Sequence, residues 1–262
     1  MRHLSNIEHL KVGPKGVGIG IVAGGETKSL VDWDSPDWVY WSMNDFYFHF
    51  AKKLAALFEM HPPSHYNDPK QYTPGHEAWM GTARIPVYLA FPNPKIPNGI
   101  PYPLDGVVTQ FGRRYFRSTV SYMIPMAIRT ILRDKAEGGG LYAPRIGLWG
   151  CDMQLTSDYA KERACVEYWL GRAEQMGIEV VIPDESPLLK SDYLYGYETE
   201  KMVAHSRVIR ARVRELEEQL TVALHTDRQA NARVSELQGM LREAAFYNQH
   251  LTDSAPSGEE WQ

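Results

Sequence analysis

Gly24 and Gly25 interrupt "GIVAGGETKSL" (20–30) where an apolar run turns polar, and Asn44 closes the next such run within "VYWSMNDFYF" (39–48). Two glycines at that point let the main chain turn tightly and let a phosphate approach it, and a following helix N-terminus completes an anion site. An asparagine one strand later, on the same edge of a sheet, suits a ribose hydroxyl or a base. His61 ends a third run before Pro62, Ser118 and Thr119 open a predicted helix, and Asp152 follows a glycine at the end of a fifth run. Each is more often a cap or a turn residue; their recurrence at strand ends points to a ligand crevice. The usual phosphate fingerprints do not match: GxxxxGK[ST] is absent, and Gly16, Gly18 and Gly20 lie within a strand rather than after one.

Other chemistry is weaker. His61, His65 and His76 are separated by prolines and lack cysteine or acidic partners at metal-ligand spacing, so no metal site is assigned. "GRRYFRS" (112–118) gathers Arg113, Arg114 and Arg117 with two aromatics before the Ser-Thr helix start, which fits donor phosphates, a nucleic-acid acceptor or a solvated basic turn. Trp33, Trp38, Trp41 and Trp79 can stack on a sugar or base, although large aromatics more often fill a core.

The elements that must position these residues follow from periodicity. Short apolar runs at 17–23, 37–43, 56–61, 86–91, 145–150 and 178–183 read as strands, several of them apolar on both faces, as in a covered parallel sheet. Segments 45–57, 118–132 and 157–177 read as helices, capped by Asn44 or Asp45 and by Ser118, with Gly177 as a stop and Pro125 as a kink or shifted start. Alternation of this kind implies a three-layer α/β domain with right-handed crossovers. Proline-dense segments 61–79 and 92–106 follow strand ends and are candidate substrate lids.

Composition changes near residue 197. Residues 198–251 contain no proline and one glycine, Gly239, and Ile209, Val213, Leu216, Leu220, Ala223, Ala230, Val234, Leu237 and Leu241 follow steps of four and three. That seam, with Asp227 at one of its positions, predicts a long helix over 202–251 that self-associates as a coiled coil; the alternative is an amphipathic helix lying on its own domain. The expected organisation is therefore a nucleotide-binding transferase domain over 1–196, the long helix over 197–252 and a disordered tail over 253–262. A net charge of −4 and a pI near 6.1 give no global basic field, so a nucleic-acid acceptor lacks support from charge. No signal-peptide core or membrane-length apolar stretch is present, and Cys151 and Cys165 lack CxxC spacing; the reading is a cytoplasmic protein with reduced thiols and no membrane partner.

In order and spacing, "GIVAGGETKSL", "YWSMNDFYF", "LFEMHP", "STVSYMIPMAI", "IGLWGCDM" with "SDYA", and "GIEVVIPDESPLL" resemble the motifs of the family-42 sialyltransferases. They also look like the related domains typified by the archaeal 6-hydroxymethylpterin pyrophosphokinase, and proteins of this appearance occur in phages. The resemblance spans roughly residues 17–190. It implies a Rossmann-like fold and transfer from a nucleotide-activated donor, with Gly24 and Gly25 at the donor phosphate and Asn44 at the nucleotide. It also implies Ser118 and Thr119 in the binding helix start, His61 in place of a family asparagine, and Tyr159 beside the leaving phosphate. The glycine turn departs from the family's Asn-Gly-Pro-Ser, and the histidine that serves those enzymes as general base has no counterpart. No histidine lies between His76 and His205. The base then falls to Asp152, Glu162 or His61, with Asp152 taken first, and a carboxylate in that role needs a raised pKa.

The expected activity is a transferase using a nucleotide-activated donor, foremost a glycosyltransferase, with Arg117 among the nucleotide-binding residues. One alternative is a pyrophosphokinase-like enzyme requiring Mg²⁺ on Asp152 or Asp105. The other is a non-catalytic Rossmann-like module assembled through its coil. No cofactor is certain.

Overall fold

The computed structural model describes residues 16–46, 53–153, 160–191, 194–197 and 200–253. The chain divides into two compact units, Met1–Lys190 and Ser191–Gln262.

The first unit is an α/β domain built on a Rossmann-like sheet. Its strands are β1 (Val17–Val22), β2 (Trp38–Met43), β3 (Leu54–Glu59), β4 (Val87–Leu89), β5 (Gly99–Pro101), β6 (Tyr142–Trp149) and β7 (Glu179–Val181). They lie in the order β5-β4-β3-β2-β1-β6-β7, and every neighbouring pair is parallel. The order winds outward from β1 to β5, then returns so that β6 pairs with β1 on its other side. That reversal is where ligands enter open parallel sheets, just beyond the carboxyl ends of the strands.

Both faces of the sheet are covered, which is why the strands read as continuous apolar runs. On one face Ile19, Ile21, Trp41, Phe58, Ile146 and Leu148 pack with Met123, Ile124 and Ile128 of α4 (Thr119–Ala136) and with Val166, Trp169 and Leu170 of α5 (Ala160–Gln175). Val107 and Phe111 of α3 (Leu104–Phe111) join that layer. The opposite face buries Val22, Tyr40, Leu57 and Trp149 beneath Tyr66 of α1 (Pro63–Tyr66) and Met80 of α2 (His76–Thr82). The strand glycines belong to this second face. A β-carbon on Gly18 would lie 2.5 Å from Trp38, and one on Gly20 would lie 2.7 Å from Tyr40. They clear room for an aromatic layer.

Two expectations are revised. Residues 54–57, the end of the helix expected over 45–57, belong to β3, which absorbs the strand expected from 56 onward and begins two residues earlier, because leucines and alanines there fill both faces of a strand hydrogen-bonded between β2 and β4; residues 47–52 lie outside the described residues. Asn44 adopts a left-handed φ of 51°, and the Asp45 carboxylate accepts hydrogen bonds from the N–H (2.8 Å) and hydroxyl (2.7 Å) of Thr73; the residues beyond Phe46 that either was expected to cap lie outside the described residues. The proline-dense segment 92–106 contributes a seventh strand, β5, and the start of α3. It is clasped to the other proline-dense segment by Asn93, whose amide donates to Glu77 at 2.8 Å and to the Tyr66 phenol at 2.7 Å.

The second unit contains one long helix, α6 (Glu200–Asp253). Along it Ile209, Val213, Leu216, Leu220, Val234, Leu237 and Leu241 are all exposed. Arg212–Glu215 and Arg233–Glu236 pair along its surface, and Asn231 donates to Asp227 at 3.1 Å. The tail beyond Asp253 lies outside the described residues. No helix among the described residues is long and apolar enough to cross a membrane.

Candidate functional site

The carboxyl ends of β1, β2, β3 and β6 open onto one cavity of about 540 Å³, within the range of sites for small organic ligands. Its wall takes Gly24, Gly25 and Glu26 from the turn after β1, Asn44 and Phe46 from the turn after β2, His61 from beyond β3, and Gly150 to Met153 from beyond β6. Arg117, Ser118, Thr119 and Val120 enter from the start of α4, and Glu162 from the first turn of α5. The structure thus brings together Gly24, Gly25, Asn44, His61, Arg117, Ser118, Thr119 and Asp152. Tyr159 lies outside the described residues. Asp105 is exposed on α3 and away from the cavity wall, as are Arg113 and Arg114. The four tryptophans singled out above also stay off the wall; Trp41, for one, packs on Phe58.

The turns on either side of the reversal are tied together. Thr27, on a short 3-10 helix (Glu26–Leu30), donates its hydroxyl to Asp152 Oδ1 at 2.5 Å and its N–H to Oδ2 at 3.1 Å. The same hydroxyl accepts from the Gly150 N–H at 2.7 Å, and the Gly25 N–H donates to the Gly150 carbonyl at 2.8 Å. Asp152 is 8% exposed and has both oxygens engaged by Thr27. This shows why Gly25 is glycine: a β-carbon there would sit 2.4 Å from Asp152 Oδ2 and 2.8 Å from the Gly150 carbonyl. At Gly24 the space is filled by Phe46, whose ring would lie 2.5 Å from a β-carbon at that position. Neither glycine has a positive φ; Gly25 is required by the Asp152 side chain and the Gly150 carbonyl, whereas a side chain at Gly24 would displace the exposed Phe46 ring.

Ser118 caps α4. Its hydroxyl accepts from the Ser121 N–H at 3.4 Å, while Ser121 Oγ accepts from the N–H of Ser118 at 3.1 Å and of Arg117 at 3.0 Å, closing a capping box. An 18-residue helix therefore points its amino end at the cavity, where first-turn N–H groups lack intrahelical partners and the helix dipole favours an anion. Arg117 stands beside that end. Opposite, Asn44 holds its left-handed turn with its side-chain carbonyl oxygen buried and without a hydrogen-bond partner. A buried acceptor left so costs about 1–3 kcal/mol. Asn44 thus combines a left-handed turn with an unpaired side-chain oxygen in a residue of the cavity wall.

Carboxylates flank the cavity unequally. Burial pushes the Glu162 carboxyl above its ordinary pKa, partly opposed by Arg117. Glu59, just behind the wall, has a fully buried side chain. Burial alone would raise its pKa, but hydrogen bonds from His61 and His76 outweigh that and hold it below the ordinary carboxylate range. Its Oε1 receives the His61 N–H at 2.9 Å and faces His61 Nδ1 at 2.8 Å, and its Oε2 faces His76 Nε2 at 3.0 Å. Sequence reasoning missed Glu59. The signal for it is one charged residue closing an otherwise apolar strand, two positions before a histidine. Among the described residues no cluster of three or more His, Cys, Asp or Glu is arranged to hold a metal ion; of the two alternative carboxylates for Mg²⁺, Asp152 lines the cavity with both oxygens bound by Thr27, and Asp105 lies away from its wall.

A solved sialyltransferase aligns with this chain. It comes from Campylobacter jejuni, in complex with a substrate analogue, cytidine-5′-monophosphate. Identity is 16%, the alignment covers 68% of this chain and 88% of that one, and the TM-score is 0.37. No family model matches the chain, and no curated protein does. A likeness at that level assigns no residue roles.

Proposed function

We propose that the chain is a transferase that takes a nucleotide-activated sugar as donor. The observation that carries this is one cavity at the carboxyl edge of the sheet that gathers Asn44, Arg117 and the amino end of α4. A nucleotide offers what both sides need: a phosphate for Arg117 and the N–H groups of Thr119 and Val120, and a hydroxyl or exocyclic amine to donate to Asn44. The motif order that resembles the sialyltransferases supports the same assignment.

In this reading the departing phosphate gains charge as its bond to the sugar breaks, and the α4 terminus and Arg117 are already aimed at it. Gly24 and Gly25 shape the turn that closes the phosphate end. Asp152 acts as the clasp that fixes this turn, and the proton acceptor is sought elsewhere in the cavity. No step runs through Mg²⁺. Exposure of the whole heptad stripe of α6 supports self-association of the chain as a coiled coil.

The test is a thermal-shift panel of nucleoside mono- and diphosphates and nucleotide sugars on the full chain. A ligand at a hundredfold excess over its Kd stabilises by about 2.7 kcal/mol. The reading predicts such a shift for at least one nucleotide, smaller for the matching nucleoside without phosphate. No shift from any nucleotide at millimolar concentration refutes it.

A further inference from the structure

His61 is the one imidazole on the cavity wall among the described residues, and its surroundings define its tautomer. Glu59, with its carboxylate fully buried, lies 2.8 Å from Nδ1. An ionised carboxylate only accepts hydrogen bonds, so Nδ1 carries a hydrogen toward it, and in the neutral ring the lone pair is then on Nε2. Three further groups fix the pair. The Tyr72 hydroxyl lies 2.7 Å from Nδ1 and 3.4 Å from Glu59 Oε1. His76, with no exposed side-chain surface, holds the other carboxylate oxygen, and the His65 ring stacks at 4.5 Å between centroids, tilted 30°. The His61 side chain itself keeps 36% of its surface exposed. Carboxylate, imidazole and open cavity in that sequence are the parts of a general base.

We propose that His61 is the base of this site and that Glu59 is its positioning residue, so that the chain carries a Glu59–His61 dyad of its own. The assignment rests on the transferase reading above. The acceptor hydroxyl gives its proton to Nε2 as its oxygen bonds to the sugar carbon. The bond from that carbon to the phosphate oxygen breaks, and the electron pair leaves with the phosphate. The imidazolium so formed is paired with the Glu59 carboxylate. The other cavity-wall groups that titrate, Glu26, Asp152, Glu162 and Cys151, are not in hydrogen-bonding contact with the dyad; Asp152 is committed to Thr27, and burial pushes the Cys151 thiol up and out of use.

Nitrogen-15 NMR of the full chain labelled at histidine tests the dyad without any variant. At pH 8 the His61 ring should be the Nδ1–H tautomer with an unprotonated Nε2, and Glu59→Gln should give a mixture of tautomers. Release of nucleotide from CMP-N-acetylneuraminic acid, UDP-glucose and GDP-mannose supplies the second readout. His61→Gln should lower kcat at least about 100-fold, within the usual range for loss of a general base, with KM within roughly threefold and an unchanged melting temperature. Glu59→Gln should lower kcat with the same small effect on KM. A wild-type Nε2–H tautomer, or His61→Gln turning over at the wild-type rate, overturns the proposal. If none of the donors is consumed, the transferase reading fails for them and the tautomer alone decides the dyad.

Discussion

Asn44→Gly separates what the turn costs from what the amide does. Glycine keeps the left-handed φ of 51° without penalty while removing the buried unpaired oxygen. Folding then regains about 1–3 kcal/mol of unmet desolvation and loses roughly 0.5–1 kcal/mol to the freer unfolded chain. The net is about 0 to 2.5 kcal/mol of stabilisation, which at about 2–4 °C per kcal/mol leaves Tm unchanged or raises it by several degrees. Affinity should move the other way. Loss of the acceptor costs about 1–3 kcal/mol of nucleotide binding, or roughly 5- to 150-fold in Kd. Asn44→Ala is the control: it removes the same oxygen, but at that φ alanine costs about 1–2 kcal/mol that glycine does not, so it should melt below the glycine variant while losing the same affinity. Thermal denaturation of the free protein and calorimetry with the best nucleotide from the panel measure both quantities. A glycine variant that binds as tightly as wild type, or that melts as low as the alanine variant, refutes the role given to Asn44.

Thr27→Val removes the hydroxyl that serves both Asp152 and Gly150, leaving buried polar groups unmet; it should cost about 1–3 kcal/mol by urea denaturation, and Gly25→Ala should destabilise similarly by collision with Asp152. Glu162→Gln should raise Tm at pH 7 and above. The sign follows from its raised folded pKa: the charged form is disfavoured in the folded state once pH exceeds that value, so the gain should vanish as pH falls through the ordinary carboxylate range near about 4. The full chain should self-associate by light scattering while a chain ending at Tyr197 stays monomeric, and Asp227→Leu should raise the coil's melting temperature by drying one seam position; no rise means another register.

How much of this is legible in the sequence depends on the range of the interactions involved. Strands β1, β2 and β6 and helices α4 and α5 show themselves because their partners impose a local pattern, and Ser118 does so because a cap acts within three residues. The start of strand β3 is hidden at 54–55 and ambiguous at 56–57, since a run apolar on both faces has no period to separate strand from helix. The roles of Asp152 and Glu59 are hidden for another reason. Thr27 meets Asp152 across 125 positions of sequence, and His76 meets Glu59 across 17, so neither partnership leaves a local pattern. Gly24 and Gly25 stand out in the sequence as unusual, yet the space they leave is taken by Phe46 and Asp152, which only packing shows.

The pairing of β1 with β6 has a consequence for synthesis on the ribosome. Val17–Val22 line up against residues as late as Trp149, and the clasp between Thr27 and Asp152 closes over the same interval of 125 residues. At about 5–20 residues per second, one flank of β1 waits roughly 6 to 25 s after its own translation for its partner to be made. Throughout that interval the middle of the future sheet is an open edge of unpaired backbone N–H and C=O groups, able to pair with any other strand it meets. The same chain reversal that creates the crevice therefore makes the nascent chain dependent on shielding until Asp152 has emerged.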